Sequence, residues 1–489
     1  MAVLTRSACR FSTLPGEKST IYALSSGKGK SGVAVLRISG PGTSDVLMQL
    51  TKKILPPPRL ASLRTIYHPT TTEILDRGIV LWFPGPHSFT GEDVAELHVH
   101  GGLAVVRSTL DALGSFARTR EAQPGEFTKR SFFNGKMDLT EAEGVADLIH
   151  AETEAQRRQA YRQMAGSLSR KYAEWRERLL RARAFLEAFI DFGEDEQLDP
   201  GVMDEVKTSV QSLHEELKAY LNDHRRGERL RNGVQITIVG EPNVGKSSLL
   251  NALCLRPAAI VSPIAGTTRD IVESAFDLGG YPVVFSDTAG LRSTDDLIEN
   301  EGIRRATARA QTSDLILLVV DSSNLPELPA LIDSSPQRPH QSLISQRLSE
   351  FGMQISSDQK VHLLFNKIDL LPPDALNSLR EKFPSDCHFV SCTEDQGMTE
   401  FVTGLTDVVK DLCGGASVGE ANLTQQRHRQ HLQQCSARLD HFWTLLAGED
   451  VVLATHEIQQ ALRCIGRITG HVYVEEVLEV IFRDFCIGK

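Results

Sequence analysis

Gly240 to Ser248 read GEPNVGKSS, in which two glycines bracket a tight turn and a Lys-Ser pair follows. That spacing suits a chain that must wrap phosphate with its own backbone. The N–H groups of Asn243, Val244, Gly245, Lys246, Ser247 and Ser248 are expected to face the phosphates. Lys246 would reach the β and γ phosphates, and the Ser247 hydroxyl would hold Mg²⁺. Three further clusters follow in order. Asp287-Thr288-Ala289-Gly290 comes after the apolar run VVF and puts a carboxylate near the metal, with the Gly290 N–H placed to sense the γ-phosphate. Asn366-Lys367-Ile368-Asp369 comes after HLLF. Asp369 can accept from guanine N1–H and the exocyclic amine, a pair of donors that adenine does not present, and a buried acceptor there rejects the wrong base strongly. Ser391-Cys392-Thr393 would close over guanine O6 through backbone N–H groups. Together the four clusters point to GTP.

The residue after the Asp-x-x-Gly element is Leu291, where Ras-like proteins carry the glutamine that orients water. The loop Ser262-Pro263-Ile264-Ala265-Gly266-Thr267-Thr268-Arg269-Asp270 offers a substitute. Thr268 is the natural second Mg²⁺ ligand. Carbonyls of Ser262 and Ile264, with the Asn243 side chain, would cage a monovalent cation whose charge does the work of an arginine finger. Arg269 competes for that role, and as a surface arginine paired with Asp270 it has an equally good structural explanation.

These clusters need strands to carry them. VQITIV (234–239) before the glycine loop is β-branched, and SLLNAL (248–253) after it has helical spacing. The pattern predicts an inserted Ras-like domain over 233–412, with a Ser/Pro/Gln-rich surface insertion between Asp321 and Val361. Before it, residues 20–136 read as strands and short helices: IYAL, VAVLRI (33–38), GIVLWF (78–83) and AELHVH (95–100), then a helix at AVVRSTLDAL. Alternation places Glu96, His98 and His100 on one strand face, read as a polar face and not as a metal site. From Asp138, which with Glu141 forms a capping signal, the pattern is helical through 137–232 and again over 413–489. Arg157, Arg158, Arg162, Arg170, Arg176, Arg178, Arg181 and Arg183 crowd the first helical stretch. Glutamates one turn away make a solvated face the reading for most of them, ahead of an RNA contact.

At 489 residues the chain has room for roughly three domains. A net charge of −10 excludes a global basic field, so any RNA must be met by a local patch. The eight cysteines include no Cys-x-x-Cys pair, which leaves no zinc or disulfide framework to read. No apolar run reaches the ~20 residues of a membrane span. Residues 1–19 carry Arg6 and Arg10 and no acid before Glu17, the composition of a mitochondrial transit peptide.

GVAVLRISGP (32–41), SFTGEDVAELHVHGG (88–102), PGEFTKRSFFNGKMDLTEAEGVADLI (124–149), IAGTTRD (264–270) and the terminal FCIGK make the chain resemble the MnmE/TrmE family of tRNA-modification GTPases, and specifically its mitochondrial vertebrate-type members. The resemblance runs over nearly everything after residue 20. It implies an α/β multidomain protein: an N-terminal α+β folate-binding-like and dimerisation domain, a discontinuous helical domain, and an inserted P-loop GTPase domain. It implies a K⁺-stimulated GTPase that acts at C5 of wobble uridine in mitochondrial tRNAs of the matrix, with a taurine-derived product. The implied partners are a second copy of the chain and an FAD-dependent MnmG/GidA-type protein; the implied one-carbon donor is 5,10-methylene- or 5-formyl-tetrahydrofolate. Folate contacts would fall on Arg37, Glu96, Lys136 and Lys489, and K⁺ on Asn243, Ser262, Ile264 and Thr267. Glu299 would orient the catalytic water indirectly.

Cys486, within the terminal motif, has two readings: a thiolate adding to uridine C6, or a small apolar residue docking the C-terminus. An Era/EngA-type ribosome-assembly GTPase is the alternative for the whole chain, but no GxxG loop of KH pattern follows residue 412. A folate enzyme in which GTP is only regulatory is the third.

Overall fold

The computed structural model describes residues 19–192, 200–223, 225–254, 273–286, 309–324, 339–356, 359–383, 387–414, 423–472, 475–483, 485 and 487–489. They form two compact units, one of Met1–Ala146, Gln163–Glu196 and Gly448–Lys489, the other of Asp147–Arg162 and Gln197–Ala447.

The first unit is built on a mixed sheet of β1 (Thr20–Leu24), β2 (Ser31–Ser39), β3 (Ser62–Tyr67), β4 (Ile74–Phe83), β5 (Val94–Gly101) and β6 (Thr119–Glu121). Its order is β3-β4-β5-β2-β1-β6, with every pair antiparallel except β1 with β6. Period-two alternation sends Ala34, Leu36 and Ile38 of β2, with Ala95, Leu97 and Val99 of β5, into a core covered by the helices Thr43–Thr51 and Leu103–Gly114. Arg37, Glu96 and His98 therefore share the opposite face. The strands expected at IYAL, VAVLRI, GIVLWF and AELHVH lie within β1, β2, β4 and β5. The short, polar β3 and β6 lack an apolar alternation and went unpredicted.

The capping signal at Asp138 is a reciprocal box. The Asp138 N–H donates to Glu141 Oε2 at 2.9 Å, and the Glu141 N–H donates to Asp138 Oδ1 at 2.9 Å. It starts the helix Leu139–His150, but the long helix expected from there is three pieces, with Glu154–Met164 and Ser167–Phe192 following. Thr153 caps the second by accepting from the Gln156 N–H, and Gly166, at φ +81, turns the chain into the third. Within the first unit Ser167–Phe192 packs against Val451–Thr469; within the second, Pro200–Leu221 packs against Gln426–Ala447. The helical part is thus made of segments from both sides of the intervening α/β domain.

The second unit holds the sheet β12-β11-β10-β7-β9-β8, from β7 (Val234–Val239), β8 (Glu273–Leu278), β9 (Tyr281–Ser286), β10 (Leu315–Asp321), β11 (Lys360–Asn366) and β12 (Cys387–Phe389). Only β8 runs antiparallel. The continuous apolar runs of β7, β10 and β11 are buried on both faces, as a helix-covered parallel sheet requires. Part of the stretch expected to be a surface insertion is instead the helix Pro339–Glu350, whose Leu343 and Leu348 enter the core; their one-turn-plus spacing was hidden by the surrounding Ser, Gln and Pro. No helix among the described residues is long and apolar enough to cross a membrane.

Candidate functional site

In open parallel sheets ligands sit beyond the carboxyl ends of the strands, where strand order reverses. Here β7 is that switch, flanked by β9 and β10, and the glycine loop leaves its end. Two glycines are sterically required. A Cβ on Gly240 would lie 2.4 Å from the Val319 carbonyl, and one on Gly245, at φ +96, would lie 2.3 Å from Asn366 Nδ2. Asn243 also holds a left-handed conformation, φ +59, which its short polar side chain tolerates. Buried Val244 pins the turn to the core, and the helix Lys246–Cys254 starts at the loop's end with Ser247 and Ser248 exposed. Lys246 Nζ donates to the carbonyls of Gly240, at 2.8 Å, and Glu241, at 2.6 Å. The ammonium is thereby held over the loop where phosphate oxygens would compete for it.

Asn366 ties three loops together. Its Nδ2 donates to the Val244 carbonyl at 2.8 Å, and its Oδ1 accepts from the Cys392 N–H at 3.4 Å, with only 2% of the residue exposed. The next residue, Lys367, turns left-handed at φ +63 and donates from Nζ to Asp321 Oδ2 at 2.6 Å. Ile368 is sunk in the core and its N–H meets the Val390 carbonyl, so Asp369 is presented on a fixed turn. Asp369 itself is exposed, not buried as expected from the sequence; a turn that offers its carboxylate to a base must first leave it in water. Ser391 is fully buried and its hydroxyl lies 3.0 Å from that of Thr393. Burial pushes the Cys392 thiol up to about 11, with Asp369 and Asp395 adding to the effect. A neutral thiol leaves backbone donors as the polar groups this loop offers.

Ser262, Pro263, Ile264, Ala265, Gly266, Thr267, Thr268, Arg269, Asp287, Thr288, Ala289, Gly290, Leu291, Glu299 and Cys486 lie outside the described residues. The roles expected of them have no geometry here.

On the opposite face of the first unit's sheet, Arg37 Nε and Nη2 both donate to Glu96 Oε1, at 3.1 and 3.0 Å. Arg37 lies against the rings of Phe89 and Phe127, 5.3 and 5.7 Å from their centroids. Among the described residues its Nη1 is buried without a hydrogen-bond partner. His98 Nε2 sits 3.3 Å from Glu96 Oε2, while exposed His100 pairs with Asp76. Lys136 Nζ donates to the Pro86 carbonyl at 3.0 Å, three residues before Phe89. Lys489 is brought to β1 by its neighbour: the Gly488 carbonyl accepts from Ser25 Oγ at 2.8 Å, and φ +101 at Gly488 lets the tail approach the Leu24 carbonyl. Leu24 pairs with Leu36, beside Arg37. The structure therefore joins Arg37 to Glu96 directly, while Lys136 is held at Pro86 and the C-terminus at Ser25. Among the described residues no group of His, Cys, Asp and Glu is placed to hold a metal.

The helix Glu126–Phe133, which brings Phe127 to Arg37 on this face, carries a charge network. Arg130 contacts Glu92 and Glu126, and Arg120 contacts Glu126. Burial alone would raise the Glu126 carboxyl, but hydrogen bonds from Arg120, the Gln123 N–H and Arg130 prevail and hold it below its ordinary range. Four of the eight arginines crowding the first helical stretch have the glutamate partners expected of them: Arg157 and Arg158 with Glu154, Arg181 with Glu177, Arg183 with Glu187.

A glycine loop at the switch strand, with Asn366 and Asp369 at the carboxyl end of β11 two strands away, defines a P-loop GTPase fold. Residues 20–136 match the GTP-binding protein TrmE N-terminus, and residues 139–486 match the MnmE helical domain. The chain is 51% identical over 482 residues to the 5-taurinomethyluridine-[tRNA] synthase subunit GTPB3, mitochondrial, of Danio rerio, covering 97% of this chain and 94% of that protein. It is 46% identical to the Homo sapiens protein of the same name, with 97% and 94% covered. To the tRNA modification GTPase MnmE of Parvibaculum lavamentivorans it is 46% identical, with 96% and 100% covered. The chain belongs to the MnmE/TrmE family and is a GTP-binding GTPase that acts in tRNA modification.

Proposed function

We propose that the protein is a K⁺-stimulated GTPase that, with an FAD-dependent MnmG/GidA-type partner, modifies C5 of the wobble uridine in mitochondrial tRNAs. The expected product is the taurinomethyl base. The observation that carries this reading is similarity along the whole chain to proteins named as 5-taurinomethyluridine-[tRNA] synthase subunits and as mitochondrial. The proposed site of action is the mitochondrial matrix, and the proposed working form is a homodimer.

Ser247, exposed in the first turn after the glycine loop, is free to ligate Mg²⁺, with Thr268 as the second protein ligand. Asn243, exposed and left-handed, is the described member of a K⁺ set completed by Ser262, Ile264 and Thr267. The bound cations neutralise charge on the phosphates. The residues of the chain do the rest: the loop N–H groups orient the phosphates, Lys246 exchanges loop carbonyls for phosphate oxygens, and Asp369 selects the base. Glu299 would orient the water indirectly.

Arg37, Glu96, Lys136 and Lys489 are assigned to a one-carbon tetrahydrofolate, 5,10-methylene- or 5-formyl-tetrahydrofolate. The fit rests on the unpartnered Arg37 Nη1 between two aromatic rings and on a half-buried Glu96 carboxylate, complementary to a flat ring bearing amino and N–H donors. Cys486 is assigned to the neighbourhood of the modified base.

Mass spectrometry of mitochondrial tRNA after depletion tests the reading. Loss of the C5 group from wobble uridine, restored by the wild-type chain, is expected; intact wobble bases would overturn it. GTP turnover should also fall when Na⁺ replaces K⁺ at equal ionic strength, and equal rates in the two salts would remove the cation assignment.

A further inference from the structure

The second position of the glycine loop is an acid, Glu241, in a loop that must receive a polyphosphate. An uncompensated carboxylate there opposes binding, because like charges repel over several ångströms even under partial screening. The helix Pro339–Glu350 supplies the compensation. Arg347 Nη1 lies 2.6 Å from Glu241 Oε1 and 3.0 Å from Glu350 Oε2. Arg347 is mostly enclosed, with 15% of its side chain exposed, whereas Glu241 is half exposed at 49%. Arg347 and Phe351 line the recess behind Gly240, Glu241 and Val244. Leu343 and Leu348, buried on either side of Arg347 in the sequence, hold the helix on the sheet, so the guanidinium reaches the loop from a rigid support. The same Glu241 contributes its carbonyl to Lys246 Nζ, which makes its backbone position a matter of direct consequence for the phosphate-binding lysine.

We propose that Arg347 supports nucleotide binding by neutralising Glu241 at the second position of the glycine loop, giving the helix Pro339–Glu350 a role at the phosphate site. The unpartnered, buried Nε of Arg347 shows that the guanidinium is placed for Nη1 contacts and not for a symmetric fork with Glu350. This inference rests on nucleotide binding at the loop, and the test separates the two.

The full-length chain is titrated with a fluorescent GDP at low and high salt, with thermal unfolding followed in parallel. Arg347→Gln is expected to weaken binding about fivefold to tenfold at low salt and about twofold at high salt. Arg347→Lys should retain most of the affinity, since the charge persists. Arg347→Gln combined with Glu241→Gln should return affinity to near wild type, a rescue that a purely architectural role of Arg347 would not allow. Glu241→Gln alone, at an exposed side chain with little bearing on folding, should bind at least as tightly as wild type. Unchanged affinity in Arg347→Gln overturns the proposal, and so does weak binding by the double variant or by Glu241→Gln alone. Failure of the wild-type chain to bind GDP would instead overturn the nucleotide site itself.

Discussion

The nucleotide loops of the second unit and the sheet face of the first proposed to take folate present their polar groups by different means. Around the glycine loop the work is done by backbone. Side chains that would meet the ligand, Ser247 and Asp369, stand exposed on turns, while buried Asn366 braces the loops from behind. On the sheet face the work is done by side-chain charge. Arg37 and Glu96 meet across two strands with Arg37 against aromatic rings, and Arg120, Arg130, Glu92 and Glu126 form a second charge network in the same unit, in which Arg130 and Glu126 are buried. The difference teaches where each site is vulnerable. The first should fail when a contact to the ligand changes, the second when a charge within the protein loses its partner.

Arg130→Ala should have the largest effect, because it takes one of two guanidinium partners from Glu126, with 5% of its side chain exposed, and takes from Glu92 its arginine. Removing one partner of a buried pair costs about 3 to 5 kcal/mol. Hydrogen exchange of the full chain should show faster exchange in peptides from 20–136, with those from the β7–β11 region unchanged. Equal acceleration in both would erase the contrast. The same network predicts acid sensitivity. Glu126 is depressed in the folded state, so its contribution is complete above its ordinary value of 4.5 and is lost as pH falls below that through its folded pKa. Glu126→Gln should remove this acid-dependent loss from the first unit's exchange, and an unaltered pH profile would show that the network does not titrate.

Part of this contrast was legible in the sequence. Lys246, Asn366 and Asp369 could be found because a loop that wraps phosphate needs particular residues at fixed short spacing. Glu96 and His98 could be put on one face by alternation alone, and the Asp138–Glu141 box by its local pattern. Arg37 and Glu96 are 59 residues apart, and their joint role came only through family resemblance; alternation does not specify register between strands. Asp321 and Arg347 were missed for the same reason. Each acts through a partner distant in sequence (46 residues for Asp321 with Lys367, 106 for Arg347 with Glu241), and no local rule marks such pairs.

Asp369→Asn comes next in size. The amide presents a donor to the guanine donors in place of one acceptor, so guanine nucleotides should lose about a hundredfold in affinity. Xanthine, with a carbonyl where guanine has its amine, should be bound better by the variant than by the wild type. Competition titrations with GDP and xanthosine diphosphate check both arms. An unchanged GDP affinity would mean that the exposed carboxylate never closes on the base. On the sheet face the corresponding change, Glu96→Gln, keeps shape and loses charge. Tetrahydrofolate affinity measured by calorimetry should fall about tenfold, the scale of one charge-assisted hydrogen bond. Retained affinity would detach folate from this face.

Asp321→Asn should have the smallest effect and probes whether the nucleotide site depends on internal charge at all. Asp321 is 12% exposed, and its Oδ1 accepts from the Ser323 N–H and hydroxyl while Oδ2 takes the Lys367 ammonium. Burial would raise its carboxyl, yet the bonds from Lys367 and Ser323 outweigh that and hold it low, so it is ionised wherever the protein works. The amide can keep the Ser323 contacts but gives up the charge that steadies Lys367. Lys367 is already fixed in the backbone by its left-handed turn and by Ile368 in the core, so only its side chain should loosen. GDP affinity should therefore fall about threefold, corresponding to well under 1 kcal/mol, and the loss should shrink with salt. A loss as large as that of Asp369→Asn would show that buried charge governs the guanine site too, and the two regions would then differ in placement but not in kind.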